Sequence, residues 1–419
     1  ASISGTLANV NAVLGAAGAQ IAGRETNLAI TITDASISVG DADALAEATT
    51  GLVTATVAAG NLAGTAAYAD SQGQVNNISF TLTDTTAAAA TLNALDAKTT
   101  VDVDVSLLTS VTGDFGDINT LYTNTANFIG LGNENIAATG TLSAANVDTL
   151  RGHTTGTVTE TVSNMSDGTA TVNTALGNAG VDALTLVVHA NDAAMNQAGL
   201  QGLLALDGKT SVAIDASAVT GVTGSYAELM SLYAAGTAGT ITGLGNEDIV
   251  ANDTNITVSE ANNLAVKTSG TLTAALSNTA LSEYASLEGT ANIYAISIAD
   301  AAIDADALVA LDAKTAGTIT LAGDASISGT LANVNAVLGA AGLAGVETNL
   351  AVTITDASIT VAEAATLSGL TTDLVTATVA AGTLAANNAF VDAGGQVNNL
   401  SFTLTDTTAV AATLNALDA

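Results

Sequence analysis

Four aspartates share one context. Asp34, Asp84, Asp356 and Asp406 each close a Thr-x-Thr-Asp run, read as TITD or TLTD. At a strand end, a carboxylate is expected to cap a turn or a helix start, because its oxygens accept backbone N–H groups that have no other partner. Asp102 and Asp104 sit two apart in VDVDV, so on a strand both side chains project from one face. Carboxylates stacked on neighbouring strands also supply the hard oxygen donors that calcium requires. These six residues are therefore the candidate calcium ligands, and calcium is the one cofactor the sequence suggests. No G-G-x-G-x-D repeat and no EF-hand loop accompanies them. Asp41 and Asp43, like Asp304 and Asp306, are placed at the start of a helix, where negative charge meets exposed N–H groups.

The basic residues are also ordered. Lys98, Lys209, Lys267 and Lys314 occupy one place in a recurring KTT, KTS or KTA signature, and His153 takes that place in RGHTTG. A cation just past a helix is expected to satisfy the negative end of the helix dipole. The alternative is a periodic row of lysines that binds a ligand. Enzymatic chemistry finds no foothold. His153 and His189 are the only histidines and lie in different repeats, with no linked Ser or Cys nucleophile motif. There is no phosphate loop, no dinucleotide fingerprint and no H-E-x-x-H. No catalysis is expected of this chain.

These residues are positioned by repeats. Residues 1–18 and 325–342 both read ASISGTLANVNAVLGAAG, and Leu28 of LAITITD matches Leu350 of LAVTITD, 322 residues on. One complete large repeat covers 28–349, residues 1–27 end a preceding one and 350–419 begin the next. A chain cut inside its repeat at both ends is expected to be a piece of something longer. Alternating runs begin near residues 28, 52, 78, 101, 136, 157, 184, 212, 249, 271, 296 and 318. That makes twelve βα modules of about 27 residues each. In AITITD, Ile30 and Ile32 alternate with Thr31 and Thr33; in FTLTD, Phe80 and Leu82 alternate with Thr81 and Thr83; in VDVDV, Val101, Val103 and Val105 alternate with aspartate. One face packs and the other meets water. Between strands, spacings of three and four mark helices of two or three turns: Leu7, Val10 and Leu14 in one, Tyr226, Leu229, Met230 and Tyr233 in another. Strand, helix and strand in the same sense make a right-handed crossover. The expected fold is a single α/β solenoid over 1–419, with parallel strands on one side, short helices on the other and uncapped ends.

Composition narrows the partners. With 39 acidic against 6 basic residues, the formal charge is −33. Nucleic acid and anionic membrane surfaces are excluded as partners, and no run of apolar residues is long enough for membrane insertion. Cys, Pro and Trp are absent, and small side chains suit closely stacked layers. The GLGNE turns at 130–134 and 243–247 place glycine where a positive φ is needed.

The module resembles repeats of giant cell-surface proteins of marine unicellular cyanobacteria and other aquatic bacteria. LNALDAKTT (92–100), the V-T-G-D/S turns at 111–114 and 222–225, and ITGLGNE (241–247) carry the likeness, which extends over essentially the whole chain. The resemblance implies an extracellular or cell-surface protein with a structural, adhesive or motility-related role and no catalytic residues. The leading expectation is a structural segment of a large secreted protein that self-associates into a rigid filament or layer. The rival is an adhesin, or a glycan- or ice-binding module, that uses outward Thr rows such as Thr54 and Thr56, or Thr376 and Thr378; cell-surface glycans are then its partners.

Overall fold

The computed structural model describes residues 1–15, 26–177, 180–321, 326–339, 343–344, 349–392 and 395–418. The chain is mixed α/β, and every strand pair among the described residues is parallel. It divides into two compact units. The first comprises Ala1–Asp192, Gln201–Ala216 and Gly239–Thr242; the second comprises Ala193–Leu200, Ser217–Ala238 and Gly243–Ala419. Among the described residues, no helix is long and apolar enough to cross a membrane.

In the first unit, strands Ser2–Gly5, Ala29–Ile32, Val53–Thr56 and Asn77–Ser79 form one sheet in chain order. Ser4 lies opposite Thr31, Thr31 opposite Thr54, and Thr54 opposite Asn77. A second sheet joins Thr86–Ala88, Ser110–Gly113, Asn135–Ala138, Val158–Thr161 and Ala183–Thr185. Two-stranded pairs link Val103–Asp104 to Phe128–Ile129, and Ile214–Asp215 to Ile241–Thr242. The second unit holds a seven-stranded sheet, which runs from Ala194–Met195 to Leu343–Ala344, and a five-stranded one. The latter comprises Ala302–Asp304, Ser326–Gly329, Val352–Ile354, Val375–Thr378 and Asn399–Ser401.

The strands form where aliphatic and hydroxyl side chains alternate. Ile30, Ile32, Val53, Ala55, Ile78, Phe80 and Leu82 are buried, while Thr31, Thr33 and Thr56 face solvent. VDVDV is shorter as a strand than its alternation predicts. Val103 and Val105 are buried, but only Val103–Asp104 is strand. The Val101 N–H instead donates to the Thr99 hydroxyl (3.1 Å), in the turn that precedes the strand.

The helices are amphipathic but vary in length. Leu62–Thr65 and Leu384–Asn387 are single turns, shorter than the two or three expected, whereas Tyr226–Ala238 has 13 residues. The buried stripe of Tyr226–Ala238 is Leu229, Leu232 and Tyr233, so Leu232 takes the place expected for Met230. The helices at Leu7–Gly15 and Leu331–Gly339 bury Val10 and Val334. The Ala-Ala-Gly after each (16–18 and 340–342), and the Ala322–Gly323 end of TITLAG, lie outside the described residues. Both GLGNE turns have glycine at positive φ: 101° and 123° at Gly130 and Gly132, 84° and 121° at Gly243 and Gly245.

Candidate functional site

The strand-end aspartates are committed to helix starts, but not to the helix that follows them. The Asp34 carboxylate accepts the N–H of Leu7 (2.6 Å), the first residue of the helix one segment back. Asp356 does the same for Leu331 (2.6 Å), and Asp84 and Asp406 for Leu62 and Leu384. Asp253 and Asp192 repeat the bond to Tyr226 and Thr169 (2.6 Å each). Helix starts leave several N–H groups unpaired. Each residue before the helices at 62, 144, 258 and 384 — Asn61, Ser143, Thr257 or Thr383 — accepts the N–H three positions on. The first N–H is covered by the next segment, through Asp84, Asn164, Asn278 or Asp406 respectively.

The other acidic candidates are dispersed. Asp104 accepts the Ser106 N–H (3.1 Å) and hydroxyl (2.6 Å) in a local turn, and Asp102 is exposed. Asp41 accepts the Ser38 hydroxyl (2.5 Å), and Asp304 caps its helix through the N–H groups of Asp306 and Ala307. Asp43 reaches another segment, accepting the N–H groups of Ala69 (2.8 Å) and Asp70 (3.0 Å). Bonds from Asn333 and Thr330 hold the Asp306 carboxyl below its ordinary range. Among the described residues, no three His, Cys, Asp or Glu side chains gather as a metal site.

The lysine row also reaches backwards. Lys98 Nζ donates to the Tyr68 carbonyl, Lys314 Nζ to that of Ala285 (3.0 Å), and Lys209 Nζ to those of Asn173 (2.9 Å) and Leu176. Leu176 ends the helix Thr169–Ala175, and Ala285 lies in the 3₁₀ helix Leu281–Ser286. Lys209 and Lys314 therefore meet carbonyls of a helix, as their charge favours, but the helix belongs to the preceding segment. His153 instead stacks on Tyr122 (5.3 Å, 6°), and its Nε2 bonds to Asn119 Oδ1 (2.9 Å). Burial lowers its pKa. His189 Nδ1 accepts the Asn191 N–H.

Sequence reading missed the residue beside each lysine. Thr99, Thr154, Thr210, Thr268 and Thr315 each donate a hydroxyl to a carbonyl one segment back: Ile78, Glu134, Leu184, Glu247 and Asn292, at 2.6 to 3.2 Å. Thr49 and Thr371 do so with neither Lys nor His before them, to Leu28 and Leu350. All seven also accept the N–H two residues on. The signal was the threonine itself, which recurs where Lys is replaced by His153, Ala48 or Leu370.

Buried carboxyls were missed as well. Glu134 and Glu247, the last residues of the GLGNE turns, are fully buried and accept the hydroxyls of Tyr122 (2.9 Å) and Tyr233 (3.1 Å) and the N–H groups of Gly132 and Gly245. Burial first, and then the facing glutamate, raise the pKa of both tyrosines. Glu160 points inward from the strand Val158–Thr161 and is 5% exposed. Its Oε1 accepts the Thr161 N–H, its Oε2 is buried without a partner, and burial raises its pKa.

The outward polar rows, hydroxyls ending in an amide, are continuous in two places. Ser4, Thr31, Thr54 and Asn77 are in register in the first unit, and Ser328, Thr353, Thr376 and Asn399 in the second. Elsewhere Ala137 and Val250 interrupt the rows. The chain matches no protein-family model, no curated protein and no solved structure.

Proposed function

We propose that the chain is a structural segment of a large extracellular repeat protein, built as a right-handed solenoid of βα coils averaging about 27 residues. Strands would line one side and helices the other, and the coils would form a rigid rod or filament on a bacterial surface. One observation carries this reading: each coil completes its predecessor. Asp84, Lys98 and Thr99 satisfy the Leu62 N–H, the Tyr68 carbonyl and the Ile78 carbonyl, all one coil back. Such mutual dependence favours lengthwise growth and resists bending, while the −33 charge keeps the surface solvated and repels neighbours at low salt.

Small-angle X-ray scattering tests the rod. About 16 coils at roughly 4.8 Å each give a long axis on the order of 75 Å. A symmetric, bell-shaped distance distribution that ends well short of that length overturns it. Antibody against the chain should label intact cells that make it; labelling only after permeabilisation overturns the extracellular location.

The register of Ser4, Thr31, Thr54 and Asn77 favours a second reading, a binder of glycans or ice through this face. Replacing Thr31 and Thr54 with Tyr separates the two. Lost adhesion with unchanged assembly supports the binder.

A further inference from the structure

The seven-stranded sheet of the second unit runs, in order, through Ala194–Met195, Gly221–Gly224, Asp248–Ala251, Leu272–Ala275, Ile293–Ile298, Ile319–Leu321 and Leu343–Ala344. Leu272–Ala275 is its middle strand. Alternation gives the sheet two faces. Val222, Ile249, Leu272, Tyr294 and Ile319 are buried on one. On the other, Thr223, Val250, Thr273 and Ile293 stand in one register row.

This outward face is nearly free of charge, in a chain of net charge −33. From Gly221 to Leu321 its strand positions hold Gly, Thr, Ala, Ser, Val and Ile, with Asp248 as the one carboxylate. Asp248 begins its strand, and its Oδ1 accepts the Thr271 N–H (2.7 Å). The face is also aliphatic where water would meet it: Val250 is 39% exposed and Ile293 43%. Exposed aliphatics scattered singly need no partner. These two share a row, one strand to either side of Thr273 on the middle strand.

We propose that this face is a self-complementary interface with a second copy of the chain. A twofold axis parallel to the strands and passing over Thr273 turns the sheet onto its mate. Val250 of each copy then meets Ile293 of the other, and Thr273 meets its own counterpart. Both aliphatic pairs close at once, as an isologous contact requires. Charge selects a second copy as the occupant. Two chains at −33 repel wherever their carboxylates meet, and this face lets them touch with few carboxylates between them. A cationic partner would dock on carboxylates, and the centre of this face has none. At about 4.8 Å per strand and 3.3 Å per residue the face measures roughly 30 by 13 Å. A pair therefore buries on the order of 800 Å² in all, less than the ~1,200–2,000 Å² of stable complexes, so association is weak and depends on concentration. The inference names the lateral contact of the structural reading above and rests on it, and the test separates the two.

The test is sedimentation equilibrium of the whole chain at about 0.5 M salt, where screening shortens the reach of its charge. The natural chain should form dimers that grow with concentration. Val250→Lys and Ile293→Glu should each weaken self-association about tenfold or more, because each buries a charge against an aliphatic side chain. Mixed, the two variants should pair again, since lysine then faces glutamate at one contact and the natural pair remains at the other. Both positions are exposed, so each variant should melt as the natural chain does. Thr112→Lys, on the outward face of the five-stranded sheet of the first unit, should leave association unchanged. A natural chain that stays monomeric, variants that associate as well as it does, or a mixture no stronger than its parts each overturns the proposal. A monomeric chain that binds ice or glycans through this face overturns it as well. Small-angle scattering of the Val250→Lys monomer is the second arm. A long axis on the order of 75 Å without pairing defeats this interface alone; loss of both defeats the coil reading too.

Discussion

The Thr99 hydroxyl donates to the Ile78 carbonyl at 2.6 Å and accepts the Val101 N–H at 3.1 Å. One buried side chain thus ties a turn to the strand of the preceding segment. Thr99→Val keeps the shape and removes both bonds, which should cost about 1–3 kcal/mol for the groups left unsatisfied. Thr100→Ala, at the exposed neighbour, should stay within about 0.5 kcal/mol. Thermal melting of both variants checks the contrast, and equal losses would refute it.

Asp84 should be replaceable by Asn but not by Ala. Asn164 and Asn278 already cap Ala144 and Val258 from equivalent places, at 2.9 and 3.3 Å. Asp84→Ala leaves the Leu62 N–H uncapped, with an expected cost of about 0.5–2 kcal/mol. Amide exchange at Leu62 should accelerate in the Ala variant and change little in the Asn variant.

Glu160 should make the fold less stable as pH rises. Burial raises its folded pKa above the ordinary glutamate value, so the folded chain holds this proton more tightly than the unfolded chain. Its contribution is fullest below the ordinary pKa and declines as pH climbs through the raised one. Glu160→Leu, which copies its register partner Leu184, should remove that decline and gain about 1–3 kcal/mol at neutral pH by removing an orphaned oxygen. The test is the difference in melting temperature between the two proteins from pH 4 to 8. A difference that does not vary with pH counts against it.

Cations should stabilise by screening. Asp34, Asp84, Asp356 and Asp406 are occupied by helix N–H groups. At matched ionic strength, calcium and magnesium should therefore raise the melting temperature alike, and a chelator should change little. A rise specific to calcium would refute this.

Much of the layout is legible in the side-chain periods. Strands expected near residues 28, 52, 78 and 136 begin at Ala29, Val53, Asn77 and Asn135. Alternation fails at Val101, where the Thr99 turn takes over; it holds at Glu160, which lies on the face of Val158 and Val162, but hydropathy alone would place a carboxylate outside. The capping role of Asp34 is readable, but its target is not. Nothing within a single segment says that the N–H in need belongs to Leu7, 27 residues earlier. Contacts between segments depend on register, and register emerges only when neighbours stack.

The direction of these ties gives the chain a polarity in time. Asp84 serves Leu62, Lys209 serves Leu176 and Thr99 serves Ile78, so the later residue finishes the earlier helix or strand. As the polypeptide emerges from the ribosome, each of these three N–H or carbonyl groups is made before the side chain that completes it. Those bonds can close only after 21 to 33 further residues have been made.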